Sequence, residues 1–436
     1  MKVIIIGNGL AGVTVASNLV NLDDSIEIDI ISEEKYTYYS RVRLVDYMVN
    51  KISLDDLIIY DESWYEQRDI NLHLNSRVTK LNTSKNKISI ETTLEDGKTE
   101  TKELEYDTLV IACGSKPIIP DIKVKRLDEK GKEELIPLTQ TDIFGWHILR
   151  NINDADQIKE HLKQAERIII LGTGLLGLEI AHNFREGDRS RDTSIIEIES
   201  SIAPVYLDKQ GSLVLLNLLE RAGIKVLTNI EVTELVGDKS IEGCRLSDKT
   251  IHKGDMVIFA CGIEPNIDFL KDTPIEIIDG IVVNEFMQTS VKNIYAVGDC
   301  CEFNEFIYGI NPAAIEQAKH CAWNIVKPEG KTKIYDGTIP SVSFNGFDTE
   351  LVSLGSVNEY TLGEEEWKDI YSYYKVDLTM GIYKKILLKK HRIIGAILIG
   401  DLESQFDIRR LIFEKIDVSA FEEKILQDGF ELRDYI

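Results

Sequence analysis

The chain has 436 residues, 43% of them hydrophobic, with 74 acidic against 50 basic side chains and a formal net charge of −24. That length suits about three ordinary domains with real cores, and the charge argues against nucleic-acid binding and against docking on an anionic membrane. No apolar run approaches the roughly 18 residues of a membrane span, and the opening apolar run is too short for a secretory leader, so a cytoplasmic protein is expected.

The first element is the buried-type strand Val3-Ile4-Ile5-Ile6, followed by Gly7-Asn8-Gly9-Leu10-Ala11-Gly12 and a helix expected over residues 11–22. In such a fingerprint the first glycine allows a tight turn, the second lets backbone approach a pyrophosphate, and the third lets helix and sheet pack closely. Phosphates then meet the free N–H groups and positive dipole end of the helix. The unit also needs an acid about 20 residues on to accept hydrogen bonds from a ribose. The strand at 26–31 runs into Ser32-Glu33-Glu34, which makes Glu34 the ribose acid and Glu33 the lesser candidate. An aromatic loop follows, Tyr36-Thr37-Tyr38-Tyr39-Ser40-Arg41. Residues 78–105 alternate like strands around the turn signal Asp96-Gly97 and predict a small antiparallel meander. A buried strand then ends in the turn Ala112-Cys113-Gly114, and the charged stretch 123–134 reads as a solvated hairpin or loop, with a partner-docking arm as its functional alternative.

The fingerprint occurs again. Ile168-Ile169-Ile170-Leu171 leads into Gly172-Thr173-Gly174-Leu175-Leu176-Gly177, and the strand predicted at 194–198 carries Glu197, with Glu199 close by as the lesser candidate. Two copies suggest two dinucleotides held by one polypeptide, with electrons passing between them. A carboxylate at Glu197 repels a 2′-phosphate, and no arginine follows it at once, so NADH is expected in preference to NADPH. Met256-Val257-Ile258-Phe259-Ala260 repeats the strand-to-turn pattern and ends at Cys261-Gly262. Residues 291–299 form a strand leading to Gly298-Asp299. Asn311-Pro312 opens a helix that carries Ala314, Glu316 and Gln317, each of the last two divided between a cofactor contact and plain helix solubility. The last hundred residues hold no fingerprint. Their basic cluster, Lys384, Lys385, Lys389, Lys390 and Arg392, reads as a solvated hairpin or as a patch steering an acidic partner. Six scattered cysteines, Cys113, Cys244, Cys261, Cys300, Cys301 and Cys321, form no C-x-x-C, so neither a redox-active disulfide nor a zinc site is signalled, and no metal is expected.

In this order the motifs resemble the two-dinucleotide-binding-domain flavoprotein reductases, most closely the NADH:rubredoxin reductases and the flavin portion of NADH-dependent nitrite reductases. The resemblance implies an α/β fold with two Rossmann-like FAD/NAD(P)-binding domains of glutathione-reductase type and a smaller α+β C-terminal domain. It implies a discontinuous FAD domain (1–120 and 252–335), an NAD(H) domain (121–251) and a C-terminal interface or acceptor-side domain (336–436). The FAD residues it implies are Gly7, Gly9, Leu10, Ala11, Gly12, Glu33, Glu34, Arg41, Val78, Ala112, Cys113, Gly114, Gly298, Asp299 and Ala314. Among these Asp299 would hold the ribityl chain, and Val78 the adenine through backbone groups. The NAD residues are Gly172, Gly174, Leu175, Leu176, Gly177, Glu179, Glu197, Cys261 and Gly262. Glu179 would face the nicotinamide, and Arg41 or Arg43 would supply positive charge beside the flavin, so these three are the catalytic candidates.

The chain departs from its resemblance twice. Disulfide reductases and NADH oxidases carry a reactive cysteine beside the flavin, and no cysteine precedes Cys113 here. Oxygenase-coupled ferredoxin reductases tend to carry a lysine shortly after the arginine, where this chain reads Val45-Asp46. The implied function is hydride transfer from NADH to FAD, then electrons to a small iron protein such as rubredoxin. The alternatives are an NADH oxidase, a nitrite-reductase-type flavin component and, from another class, an NADH-sensing flavoprotein of apoptosis-inducing-factor type. A monomer or a homodimer is expected.

Overall fold

The opening strand Lys2–Ile6 lies at the centre of a five-stranded parallel sheet in the computed structural model, which describes residues 1–127, 133–358, 367–427 and 429–435. The sheet order is Ile294–Ala296, Thr108–Ile111, Lys2–Ile6, Glu27–Ile31, Ile70–His73. Both faces of such a sheet are covered, which is why its strands are near-continuous β-branched runs and why Val3, Ile4, Ile5, Ile28 and Ile30 are fully buried. The helices Leu10–Leu22 and Asn311–Val326 pack on one another through small buried residues, among them Ala11, Ala314 and Ala318. The expected meander is present as Ser76–Asn82, Lys87–Thr93 and Thr99–Glu105, antiparallel throughout. These elements belong to a first compact unit made of residues 1–41, 53–116 and 263–338.

The second unit comprises residues 42–52, 117–262 and 339–436. Its parallel sheet runs Trp146–Ile148, Met256–Phe259, Arg167–Leu171, Asp192–Ile196, Lys225–Leu227. This moves a boundary expected from the sequence. Residues 252–262 were assigned to the FAD domain, yet Met256–Phe259 is hydrogen-bonded between two strands of the second sheet, and the chain changes units only after Gly262. The charged stretch after 120 does form a hairpin, Lys123–Leu127 with Glu133–Pro137. It is part of a sheet rather than a free excursion, because Lys123–Leu127 pairs with Val232–Gly237 and Val124 is buried; residues 128–132 lie outside the described ones.

A short segment also changes allegiance. The helix Leu44–Met48 packs on the helices Ile152–His161 and Leu175–Gly187 of the second unit. Tyr47 donates its hydroxyl to Asp156 (2.8 Å), Lys159 Nζ sits 3.7 Å from the Tyr47 ring centroid, and Lys51 ion-pairs with Glu186. The C-terminal part is a five-stranded antiparallel sheet, Ser341–Gly346, Thr349–Gly355, Arg392–Ile399, Ile382–Lys389, Ile370–Asp377, with the helix Gln405–Glu414 against it. It groups with the second unit. Asp208 ties the two parts by capping the helix Lys209–Arg221 through Gly211 N–H (2.9 Å) while accepting from Tyr383 Oη (2.7 Å) and Lys385 Nζ (2.6 Å).

Candidate functional site

Each glycine fingerprint folds into the same turn. Gly7 has φ +113° and Gly172 φ +104°, a region open to glycine and strained for other residues. A Cβ on Gly7 would lie 2.1 Å from the Ala112 carbonyl oxygen, and one on Gly172 would lie 2.4 Å from that of Ala260. A Cβ on Gly12 would meet the Gly7 carbonyl at 2.0 Å, and one on Gly177 the Gly172 carbonyl at 2.2 Å. The middle glycines differ: a Cβ on Gly9 or Gly174 would meet nothing within 4 Å. The helices that follow, Leu10–Leu22 and Leu175–Gly187, have no side-chain cap, whereas Ile152–His161 and Lys209–Arg221 are capped by Asn151 and Asp208. Open space over the middle glycine beside uncapped N–H groups fits a pyrophosphate. Leu10 and Ala11, like Leu175 and Leu176, are the first residues of those helices.

The two candidate ribose acids have different surroundings. Glu34 is partly exposed, at 27% of its side chain. One of its oxygens accepts from Arg41 and the other from the Tyr39 hydroxyl (2.6 Å), while Arg41 also donates to Tyr39 (2.7 Å). A carboxylate has about four acceptor positions, so sugar hydroxyls can still bond there. Glu33 is exposed and only 3.7 Å from Arg77. Glu197 is 7% exposed. Its Oε2 accepts from Thr173 N–H (2.8 Å) and from the Thr173 hydroxyl, and its Oε1 accepts from Glu199 N–H (3.0 Å). It therefore holds the second glycine turn together.

In the first unit the remaining candidates converge on the ends of the strands at Ile111 and Ala296. Gly298 has φ +79°, and a Cβ there would stand 3.0 Å from Ala11 Cβ and 3.9 Å from Ala314 Cβ. Asp299 accepts from Ser115 Oγ (2.8 Å), just past the Gly114 turn at φ +69°. Gln317 is buried, and its Oε1 accepts from Gly298 N–H (2.8 Å), so it serves the turn rather than helix solubility. Glu316 accepts from the Thr338 hydroxyl. Val78 is buried at a register shift in its strand. The Cys113 Sγ donates to the Asn266 carbonyl (3.1 Å), and the adjoining Cys300 thiol together with burial holds Cys113 well above the ordinary thiol range. Burial likewise pushes Cys261, beside the exposed Gly262, up to about 11. Neither is a thiolate near neutrality.

The catalytic candidates fall in different compact units of the chain. Arg41 is the last residue of its piece of the first unit and is spent on Glu34, while Arg43 precedes the helix Leu44–Met48 in the second. The Arg41 guanidinium is paired with Glu34, the candidate ribose acid. Glu179 lies half-buried on the helix Leu175–Gly187, and burial, then the charge of Asp46, raises it to about 7. The basic cluster is dismantled: Lys384 pairs with Asp401 and Lys385 with Asp208, both largely buried.

Sequence reasoning missed Ser115, Thr173 and Tyr65, whose hydroxyl donates to Asn8 Oδ1 (2.9 Å) while Asn8 Nδ2 is buried with no partner. Thr173 stands inside the fingerprint and Ser115 just after a glycine turn, which were the available signals; Tyr65 had none. Among the described residues no group of three or more His, Cys, Asp or Glu can hold a metal ion, and no helix is long and apolar enough to cross a membrane.

Comparison with known proteins places this geometry. The family model described as pyridine nucleotide-disulphide oxidoreductase matches residues 1–323, and that of the rubredoxin NAD+ reductase C-terminal domain matches residues 340–416. The chain is 32% identical over 420 residues to a nitrite reductase (NAD(P)H) of Bacillus subtilis, covering 96% of this chain and 48% of that one. It is 31% identical over 415 residues to the NADH-rubredoxin oxidoreductase of Clostridium acetobutylicum, covering 94% of each. The crystal structure of NADH:rubredoxin oxidoreductase from Clostridium acetobutylicum matches with a TM-score of 0.72 at 25% identity, covering 95% of this chain and 96% of that one. The chain spans about half the length of the first curated relatives it matches.

Proposed function

This chain belongs to the pyridine nucleotide-disulphide oxidoreductase family, and on that basis we propose that it is an NADH-dependent FAD oxidoreductase that delivers electrons to a small iron protein such as rubredoxin. The family makes it an FAD- and NAD(H)-dependent oxidoreductase of α/β fold. The observation that carries the reading is the pair of equivalent cradles, each with an open middle glycine before an uncapped helix. The first cradle, with Glu34, Val78, Ser115 and Asp299 from its own unit, would hold FAD. The second, with Glu197 and Glu179, would hold NADH. Bound flavin would supply acceptance of a hydride and release of electrons one at a time.

The chain's own residues would orient and stabilise. Asp299, aimed by Ser115 and by Gln317 through Gly298, would hold the ribityl hydroxyls. The helix Asn311–Val326 has Pro312 in its first turn and no side-chain cap, so its N–H groups can stabilise negative charge that develops on a reduced flavin. Glu179 would meet the nicotinamide. The carboxylate of Glu197 at the ribose favours NADH over NADPH. The C-terminal match to a rubredoxin reductase domain supports the choice of acceptor.

The test is anaerobic rapid mixing with NADH and, separately, NADPH, followed by mixing of the reduced protein with rubredoxin, oxygen or a nitrite-reducing partner. Fast flavin bleaching by NADH and fast reoxidation by rubredoxin are expected. Protein that takes up no flavin sinks the reading. Reoxidation that is faster with oxygen transfers it to the NADH oxidases.

A further inference from the structure

The charged groups around Glu179 point to a residue that controls it. The helix Leu175–Gly187 presents Glu179, His182 and Glu186 at successive turns of one face. The helix Leu44–Met48 packs on that helix and is pinned there by the Lys51–Glu186 ion pair and, on the Ile152–His161 side, by Tyr47 with Asp156 and Lys159. The fixed segment carries Asp46, on the helix that packs against the one bearing the half-buried Glu179. Glu186, Lys51, Asp348 and Asp46 all act on His182 of this face, whose imidazole burial holds below its ordinary range, and Asp46 is the charged side chain that also acts on Glu179, after burial. No cation is paired with Glu179 among the described residues. Arg43, at the head of the same short helix, is the remaining charge on that segment.

Resting on the reading that this second cradle holds NAD(H), we propose that Asp46 is a positioning residue for the reaction. By facing Glu179 across the packed helices, it keeps that carboxyl protonated in the reduced complex and makes binding of NAD+ release its proton. The nicotinamide of NADH is neutral and accepts a hydrogen bond from a protonated carboxyl. The ring of NAD+ is a cation and favours the carboxylate. The Glu179 proton thus couples product affinity to pH: NAD+ binds more weakly as pH falls below the Glu179 value of about 7, by up to about tenfold per pH unit. NADH, which takes its hydrogen bond from the protonated form, loses affinity as pH rises above that value.

The experiment titrates the flavin-loaded protein with NAD+ and with NADH from about pH 6 to pH 8.5, comparing wild type, Asp46→Asn and Glu179→Gln. The wild-type ratio of NAD+ to NADH affinity should rise with pH through about 7. In Asp46→Asn its midpoint should move down by roughly half a pH unit or more, and in Glu179→Gln the ratio should not depend on pH. A merely structural role for Asp46 would change both affinities and leave the midpoint in place, which overturns the inference. Binding and flavin reduction that are intact while the midpoint is unmoved refute Asp46 alone. Failure of NADH to bind or to bleach the flavin in wild type refutes the reading of the site and this inference with it.

Discussion

The first glycine turn leaves its acid partly exposed and gripped from the side, whereas the second buries its acid inside the turn. Glu34 is held by Arg41 and Tyr39, residues of the loop that follows it. Glu197 is held by Thr173, a residue of the fingerprint itself. The backbone solution is the same in both, down to a Cβ clash with a facing strand carbonyl at the first glycine. The lesson is that the glycine turn is a local geometry that repeats, while the acid after it is held by whatever partners its own unit brings near.

The largest effect that can sharpen this comparison is at the glycines. Gly7→Ala and Gly172→Ala each combine positive φ with a backbone clash and should each cost about 3 kcal/mol or more. Gly9→Ala and Gly174→Ala should leave thermal unfolding unchanged and weaken only the nucleotide of their own cradle. Equal melting temperatures for Gly7→Ala and wild type would break the equivalence.

The acid pair comes next. Glu197→Ala removes the acceptor for the buried Thr173 N–H and hydroxyl and should cost about 2–3 kcal/mol. Glu34→Ala strips one partner from partly exposed Arg41 and should cost about 1 kcal/mol or less. Denaturant midpoints of the two variants measure the difference, and a reversed order would remove the contrast.

The second unit should also be the acid-sensitive one. His147 Nε2 and His161 Nδ1 are 2.9 Å apart in its interior. Burial, with the neighbouring His161, lowers His147 to about 4, and burial lowers His161. Because the unfolded chain takes up these protons more readily, this stability is complete above the unfolded value near about 6.5 and is lost as pH falls toward the folded one. The loss should reach about 3 kcal/mol, and His147→Phe should flatten the pH dependence of unfolding over that range.

The smallest effect concerns charge steering. With Lys384 and Lys385 committed to Asp401 and Asp208, Lys390→Glu should change acceptor reduction by only about twofold at low salt. A tenfold loss would restore a docking role to the hairpin.

Both fingerprints, both acids and the meander were legible because each is written in consecutive residues or at a short, characteristic spacing. The strand Met256–Phe259 was legible as a strand but not as a member of the second sheet, since a buried run of that kind suits any central position in a parallel sheet. Arg41 and Arg43, two positions apart, read as equivalents, yet they fold into different units, and nothing in their own residue types marks the chain crossing between them. Gln317 looked as much a surface residue as a site residue until Gly298 N–H was found to need it.

By itself the sequence determined two nucleotide turns, the strands and helices that frame them, and the absence of a cysteine ahead of Cys113. Those features depend on which residues tolerate a positive φ, leave room at a helix N-terminus or alternate along a strand, and such preferences act over a few bonds. Only the tertiary structure decided which oxygens of Glu34 and Glu197 are already taken, that Lys384 and Lys385 are committed to Asp401 and Asp208, and that the helix carrying Asp46 packs on the one carrying Glu179. These follow from where distant segments come to rest, because a buried donor or charge must find its partner in space and the order of residues does not say which partner that is.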